Sequence, residues 1–301
     1  MITKEEITHN INSEWQITLK YQKESRYGLC KFIIEVCQKI NLSDETASLA
    51  MLLSNFFFIK KCYFNYDRLI LACAAILLSS KTQTSQSKFN DICKEYSHIQ
   101  SKLIGPEGVH KIKEQIGKYE IFLLKELNFN VPEEFPFDFI IVYADLLYPE
   151  NEQEMINLAI KMANDSYFTY ANNIYKNYVV ALACLVISAR FLDIPNILED
   201  NYKYINNMKR INKKNITENE FNKILSQYNN QLYMKENENE ENENKNEEEK
   251  YFESLSLCQK LHPCLKMDDL LDCIKLIAEF YEDMYYKNKN DDNKINNNKT
   301  G

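Results

Sequence analysis

Slid against itself by 109 positions, the chain lays residues 49–81 over residues 158–190 without a gap. Leu49/Leu158, Ala50/Ala159, Asn55/Asn164, Tyr66/Tyr175, Ala72/Ala181, Ala74/Ala183 and Ser79/Ser188 are identical pairs, and Lys81 meets Arg190. YDRLILACAAILLSSK is thus answered by YKNYVVALACLVISAR. Each copy is apolar on every side over a run too short to cross a bilayer, which is the pattern of a helix in the middle of a bundle. A repeat of this length predicts two copies of one five-helix bundle, each wrapped around such a central helix.

The remaining periodicity agrees with an all-α fold. Apolar residues recur at three- and four-residue spacing near 24–40, 44–61, 66–81, 88–99 and 109–128, and again near 136–148, 152–168, 175–191 and 267–286. Asn41-Leu42-Ser43-Asp44 closes one helix and caps the next, and Ile104-Gly105-Pro106-Glu107-Gly108 and Val131-Pro132 are breaks. Five Gly and six Pro in 301 residues are too few for a turn-rich β architecture. The expected organisation is an N-terminal segment 1–23, a first repeat 24–131, a second repeat 132–286 and a disordered tail 287–301. The second repeat carries a polar insertion at about 198–250, whose stretch KENENEENENKNEEEK has no apolar residue to bury and is expected to be disordered.

A formal net charge of −8 argues against a nucleic-acid-binding face, since phosphate binding is carried by clustered Lys and Arg. Protein partners are expected instead. The nine Cys, at 30, 37, 62, 73, 93, 184, 258, 264 and 273, never form C-x-x-C and fall within apolar helical patterns, as small core hydrophobes do in a reducing compartment. His262-x-Cys264 has no second pair to complete a tetrahedral set, so no metal is expected. The start, MITKEEITHN, is polar and acidic, unlike a signal peptide, and no membrane association is expected. No Gly-rich phosphate loop, G-x-S-x-G or H-E-x-x-H occurs, and His9, His98, His110 and His262 are scattered. The chain is therefore expected to be no enzyme and to take no cofactor or small-molecule substrate. The cluster Lys209-Arg210-Ile211-Asn212-Lys213-Lys214 has the composition of a nuclear localisation signal, though an Asn/Lys-biased loop generates such clusters as well. A nuclear address is expected, with the cytoplasm open as a second location.

Two charges sit on apolar faces. Lys81 follows Ala74, Leu77 and Leu78 along one helix face. In HKIKEQIGKYEIFLLKELNF, Glu120 lies among Ile116, Leu123, Leu124 and Leu127, away from the charged flank of Lys113, Lys118 and Lys125. A carboxylate placed there needs a partner, because burying it alone costs several kcal/mol. Lys81 is the cation expected to meet it.

Two five-helix repeats around Ala-rich central helices, with a Lys at the end of one and a Glu inside the stripe of another, resemble the cyclins. AAILLSSK, residues 74–81, is similar to the family's Ala-x-x-Leu-Leu-Ala-x-Lys, and YEIFLLKELNFNV, residues 119–131, to its fifth-helix motif. LKELNF, ALACLVISARFLDIP and Ala163-Asn164-Asp165-Ser166 are most similar to transcription-type cyclins of the K, L, T and C kind. The resemblance implies a regulatory subunit that forms a heterodimer with a cyclin-dependent protein kinase and activates it. Lys81 and Glu120 would bind the kinase beside its mobile helix, and Leu78, Leu124, Phe129 and Val131 would form the apolar groove. The chain departs from the family at Thr82-Gln83-Thr84, where Val-Glu-Glu is common, and at Ser54-Asn55-Phe56-Phe57, where the family has His-Arg-Phe-Tyr. Ser25, Arg26, Leu29 and Phe32 occupy the positions of the substrate-docking patch of cell-cycle cyclins but lack its Met and Trp, so that patch is not expected to function. The alternatives are a cyclin-fold scaffold without a kinase and a DNA-binding factor of the IIB type.

Overall fold

The computed structural model describes residues 2–8, 12, 16–83, 88–99, 106–148, 152–194, 262 and 265–297. The sequence-predicted insertion at 198–250 and the basic cluster at 209–214 lie outside the described residues. Among those residues all regular structure is helical: α1 (Lys4–Thr8), α2 (Leu19–Lys39), α3 (Asp44–Lys60), α4 (Arg68–Thr82), α5 (Phe89–Ile99), α6 (Pro106–Glu126), α7 (Pro136–Leu147), α8 (Glu152–Ser166), α9 (Ala171–Ile174), α10 (Asn177–Phe191) and α11 (Met267–Asn297). The short α1 and α9 carry no periodic signal of their own. α2 begins earlier than the apolar pattern suggests because the Thr18 side chain accepts a hydrogen bond from Tyr21 N at 3.2 Å and caps its first turn.

The described residues form two compact units, one of Met1–Phe135 with Asn164–Tyr175 and one of Pro136–Ala163 with Lys176–Gly301. In the first unit α4 is the central helix. Asp67 caps it, accepting from Leu69 N at 2.9 Å and Ile70 N at 3.1 Å. Every residue from Ile70 to Ser80 is then buried, with α2, α3, α5 and α6 packed around. Each large side chain in this run contributes about 1.5–3 kcal/mol through burial. The turn into α3 is also written locally: Asn41 takes a left-handed φ of 52°, and the Ser43 hydroxyl accepts from Thr46 N at 3.3 Å. Lys88 Nζ donates to the carbonyls of Ile40 and Asn41, satisfying the end of α2.

Two segments expected elsewhere belong to this first unit. The N-terminal stretch packs into it: Ile2 is buried against Ile59 and Tyr170, and Asn12 Nδ2 donates to Phe58 O at 2.7 Å while Asn12 Oδ1 accepts from Tyr63 N at 2.9 Å. The stretch Asn164–Tyr175, downstream of the expected boundary at 131, is held there by hydrogen bonds between buried side chains and backbone carbonyls, two onto its own backbone and one from its side chain to α3. Asn55 Nδ2 donates to Tyr167 O at 2.8 Å, Arg26 Nε to Phe168 O at 2.8 Å, and Asn173 Nδ2 to Leu52 O at 3.2 Å. Buried carbonyls need donors, and for Tyr167 and Phe168 these come from α3 and α2.

In the second unit α10 is central, with Tyr178 through Ala189 buried and α7 and α11 packed on it. Moving the bounds of α4 by 109 positions gives those of α10. His262 stacks on Tyr178 with ring centroids 3.5 Å apart. α11 runs on to Asn297, past the end near 286 read from the sequence and into the tail expected to be disordered. The physical reason is permissive: KNKNDDNKINN contains neither Pro nor Gly to stop a helix already under way.

Candidate functional site

The last turn of α4 and the middle of α6 meet at a pair of charges. Lys81 Nζ lies 2.6 Å from Glu120 Oε1, with the lysine side chain 47% exposed and the carboxylate 14%. α4 delivers Lys81 because its own end is closed by short-range bonds: Ser80 Oγ donates to Leu77 O at 2.8 Å, Thr82 Oγ1 to Ser79 O at 2.9 Å, and Gln83 N to Ser79 O at 3.0 Å. Thr82 and Gln83, which stand where the cyclin motif has Val and Glu, thus finish the helix. Thr84 lies outside the described residues.

α6 supplies the acid and the apolar surface beside it. Its inner row, Ile112, Ile116 and Leu123, is buried. Tyr119 anchors it at the other end of α4, its hydroxyl accepting from Asp67 N at 3.0 Å. Past Glu126 the chain closes with Leu127 N donating to Leu123 O at 3.0 Å and Phe129 N to Leu124 O at 2.8 Å. This closure puts Asn128 at φ 50° and Phe129 at φ 61°. A left-handed residue with a Cβ costs roughly 1–2 kcal/mol, and Phe129 holds it while 70% exposed. Strain at an exposed aromatic points toward a role outside the folded unit.

The six residues expected to act together are distributed as follows. Lys81 and Glu120 pair; Phe129 is exposed; Leu124 and Val131 are half-buried; Leu78 is 5% exposed and can offer only the floor of a surface. Two residues escaped the sequence reading: Ile121 and Phe122 are 52% and 44% exposed. Their signal was present, since EIFLLKELNF has more apolar positions than one buried face of a helix can take. By contrast, Ser25, Arg26, Leu29 and Phe32 are all buried and present no surface patch.

Other chemistry is sparse. Among the described residues no group of three or more His, Cys, Asp and Glu is placed to hold a metal ion. The seven described cysteines are buried, and burial pushes the Cys30 and Cys37 thiols up to about 12. No described helix is long and apolar enough to cross a membrane. Cys264 lies outside the described residues, as do Cys258 and His9.

The model of the cyclin N-terminal domain matches residues 1–132, which contain both members of the charge pair. Cyclin-L1 of Homo sapiens is 26% identical over 203 residues, 65% of this chain and 39% of that protein. Cyclin-L1 of Danio rerio is 30% identical over 146 residues, 46% of this chain and 29% of that one, and cyclin-L2 of Mus musculus is 26% identical over 174 residues, 55% and 34%. The chain therefore spans well under half the length of these relatives. A chain of the yeast RNA Pol II CTD kinase CTDK-1 complex superposes with a TM-score of 0.58 at 18% identity, covering 78% of this chain and 74% of that one, which shows a shared fold. Residues 1–132 thus match the cyclin N-terminal domain, and the chain is similar to cyclin-L1 and cyclin-L2.

Proposed function

We propose that this chain is a cyclin, the regulatory subunit of a cyclin-dependent protein kinase associated with transcription, and that its contact surface is the end of α4 with the second half of α6. The observation that carries the reading is the Lys81–Glu120 pair standing beside the exposed Ile121, Phe122 and Phe129. The apolar side chains supply burial on docking, while the pair fixes register, because a misplaced partner leaves charges unpaired. Leu124 and Val131 extend the surface and Leu78 underlies it. Held inward by this surface, the mobile helix of the kinase brings its Glu to the catalytic Lys, the arrangement that phosphoryl transfer requires.

The domain reading accompanies this proposal: two tandem cyclin-box repeats, supported by the coincidence of α4 and α10 under the 109-residue shift. Similarity to cyclin-L1 and cyclin-L2 supports a nuclear place of action and a transcription-linked kinase, with the polymerase II tail as the substrate to try first.

The test is affinity capture of the full chain from native lysate, with kinase activity measured on a polymerase II tail peptide, for wild type and for Lys81→Ala/Glu120→Ala. An active kinase with the wild type that is lost with the variant is the expected result. An active kinase retained by the variant refutes the site, and no kinase with either leaves a scaffold.

A further inference from the structure

Arg26 is 8% exposed, and among the described residues no carboxylate pairs with it. Its Nε donates to Phe168 O at 2.8 Å, and its guanidinium lies over the Tyr170 ring, 4.0 Å from Cζ to the ring centroid. A carbonyl and an aromatic face stabilise the cation but do not neutralise it, and a buried charge without a counter-charge is costly. Beside it stand two more polar groups. The hydroxyls of Tyr63 and Tyr170 are buried and, among the described residues, have no hydrogen-bond partner besides each other, and the residues themselves are 3% and 8% exposed. These groups act on one another: burial pushes the Tyr63 hydroxyl well above the ordinary tyrosine range, the neighbouring Tyr170 hydroxyl adds to this by its charge and by a hydrogen bond, and the Arg26 charge opposes it. Two hydroxyls bonded to each other still leave one proton without an acceptor, so among the described residues the cluster holds one positive charge, a spare donor and no group that carries negative charge.

We propose that Arg26, Tyr63 and Tyr170 form a binding site for one small monovalent anion of the chloride class, taken from solution. Water would offer the hydroxyls an acceptor but leave the guanidinium uncompensated. A divalent anion would replace one uncompensated charge with another of opposite sign. Small size follows from burial, because Arg26 is 8% exposed and the Tyr170 ring already lies against its guanidinium. The anion would tie α2, which carries Arg26, to the loop after α3 and to the Asn164–Tyr175 segment.

The experiment uses the full chain in sodium gluconate, replaced stepwise by sodium chloride or sodium bromide at a constant ionic strength of about 0.2 M, so that screening is fixed. The expected result is a saturable rise of the thermal midpoint with halide, as for a ligand bound only by the folded state. Arg26→Gln should abolish the response. Tyr63→Phe/Tyr170→Phe, which keeps the packing and the charge, should shift it to about tenfold higher halide, the loss of one or two modest hydrogen bonds. Crystals grown in bromide should show an anomalous peak within hydrogen-bond distance of an Arg26 Nη and of at least one of the two hydroxyls. A midpoint indifferent to halide, an unchanged response in the double Phe variant, or an anomalous map empty at this place each overturns the proposal. If Arg26→Gln does not fold, the double Phe variant and the bromide map decide.

Discussion

Replacing Asn55 tests how the first unit captures a segment more than a hundred residues downstream. The side chain is 1% exposed, and its Nδ2 donates to Tyr167 O at 2.8 Å and Thr169 O at 3.4 Å. Asn55→Ala strips the donor from both carbonyls. The shorter bond dominates, and a buried acceptor left unpaired costs about 1–3 kcal/mol. The smaller side chain leaves a cavity that adds about 1 kcal/mol. We expect a loss of about 3 kcal/mol, or roughly 6–12 °C in thermal midpoint for a unit of this size, read by urea and thermal unfolding. Hydrogen exchange should rise first at the amides of 169–175, which depend on this anchor. Asn55→Asp sharpens the test through pH. The protonated carboxyl of that variant still donates one hydrogen bond, whereas its carboxylate would face two carbonyls, so its pKa is raised in the folded state. The variant's stability is then greatest below the ordinary carboxylate pKa near 4 and falls as pH rises from there toward the folded value and beyond. The reasoning is refuted if Asn55→Ala loses less than about 1 kcal/mol, below the cost of one buried unpaired group, or if Asn55→Asp is equally stable at low and neutral pH.

Two further outcomes follow from other parts of the unit. Phe129→Gly removes a side chain from a left-handed position and should raise stability by about 1 kcal/mol in chemical denaturation. The same change should weaken capture of the kinase at least about tenfold, as expected of an exposed aromatic anchor; a variant neither more stable nor weaker in binding contradicts the role given to the ring. Cys30 and Cys37, with thiols pushed up to about 12 by burial, should resist a thiol reagent at pH 8 in the folded chain and react once it is unfolded. Because the unfolded thiols ionise near 9 and the folded ones do not, these residues favour the folded state below that pH. Their contribution should be lost as pH climbs from about 9 toward 12.

The Lys81–Glu120 pair was legible in the sequence because both charges interrupt apolar stripes, and an interruption of that kind demands a partner. The energetic weight of the pair was not legible. Lys81 is nearly half exposed, so the pair contributes at most about 1 kcal/mol to folding. In the proposed function its value lies in docking, where water would be removed from it. The burial of Leu78 and the exposure of Ile121 and Phe122 were equally hidden, since periodicity shows that a position is apolar without saying whether anything covers it.

The sequence by itself determined the longer helices, their order and the two central ones. Helical propensity, capping by Ser43 and Asp67 and the apolar period are local properties that survive without a partner. Only the tertiary structure decided where the units divide. Asn164–Tyr175 joins the first unit through Asn55, Arg26 and Asn173, and the N-terminal segment joins it through Ile2 and Asn12. Those choices rest on hydrogen bonds and burial between residues far apart in the chain, which no window of sequence contains.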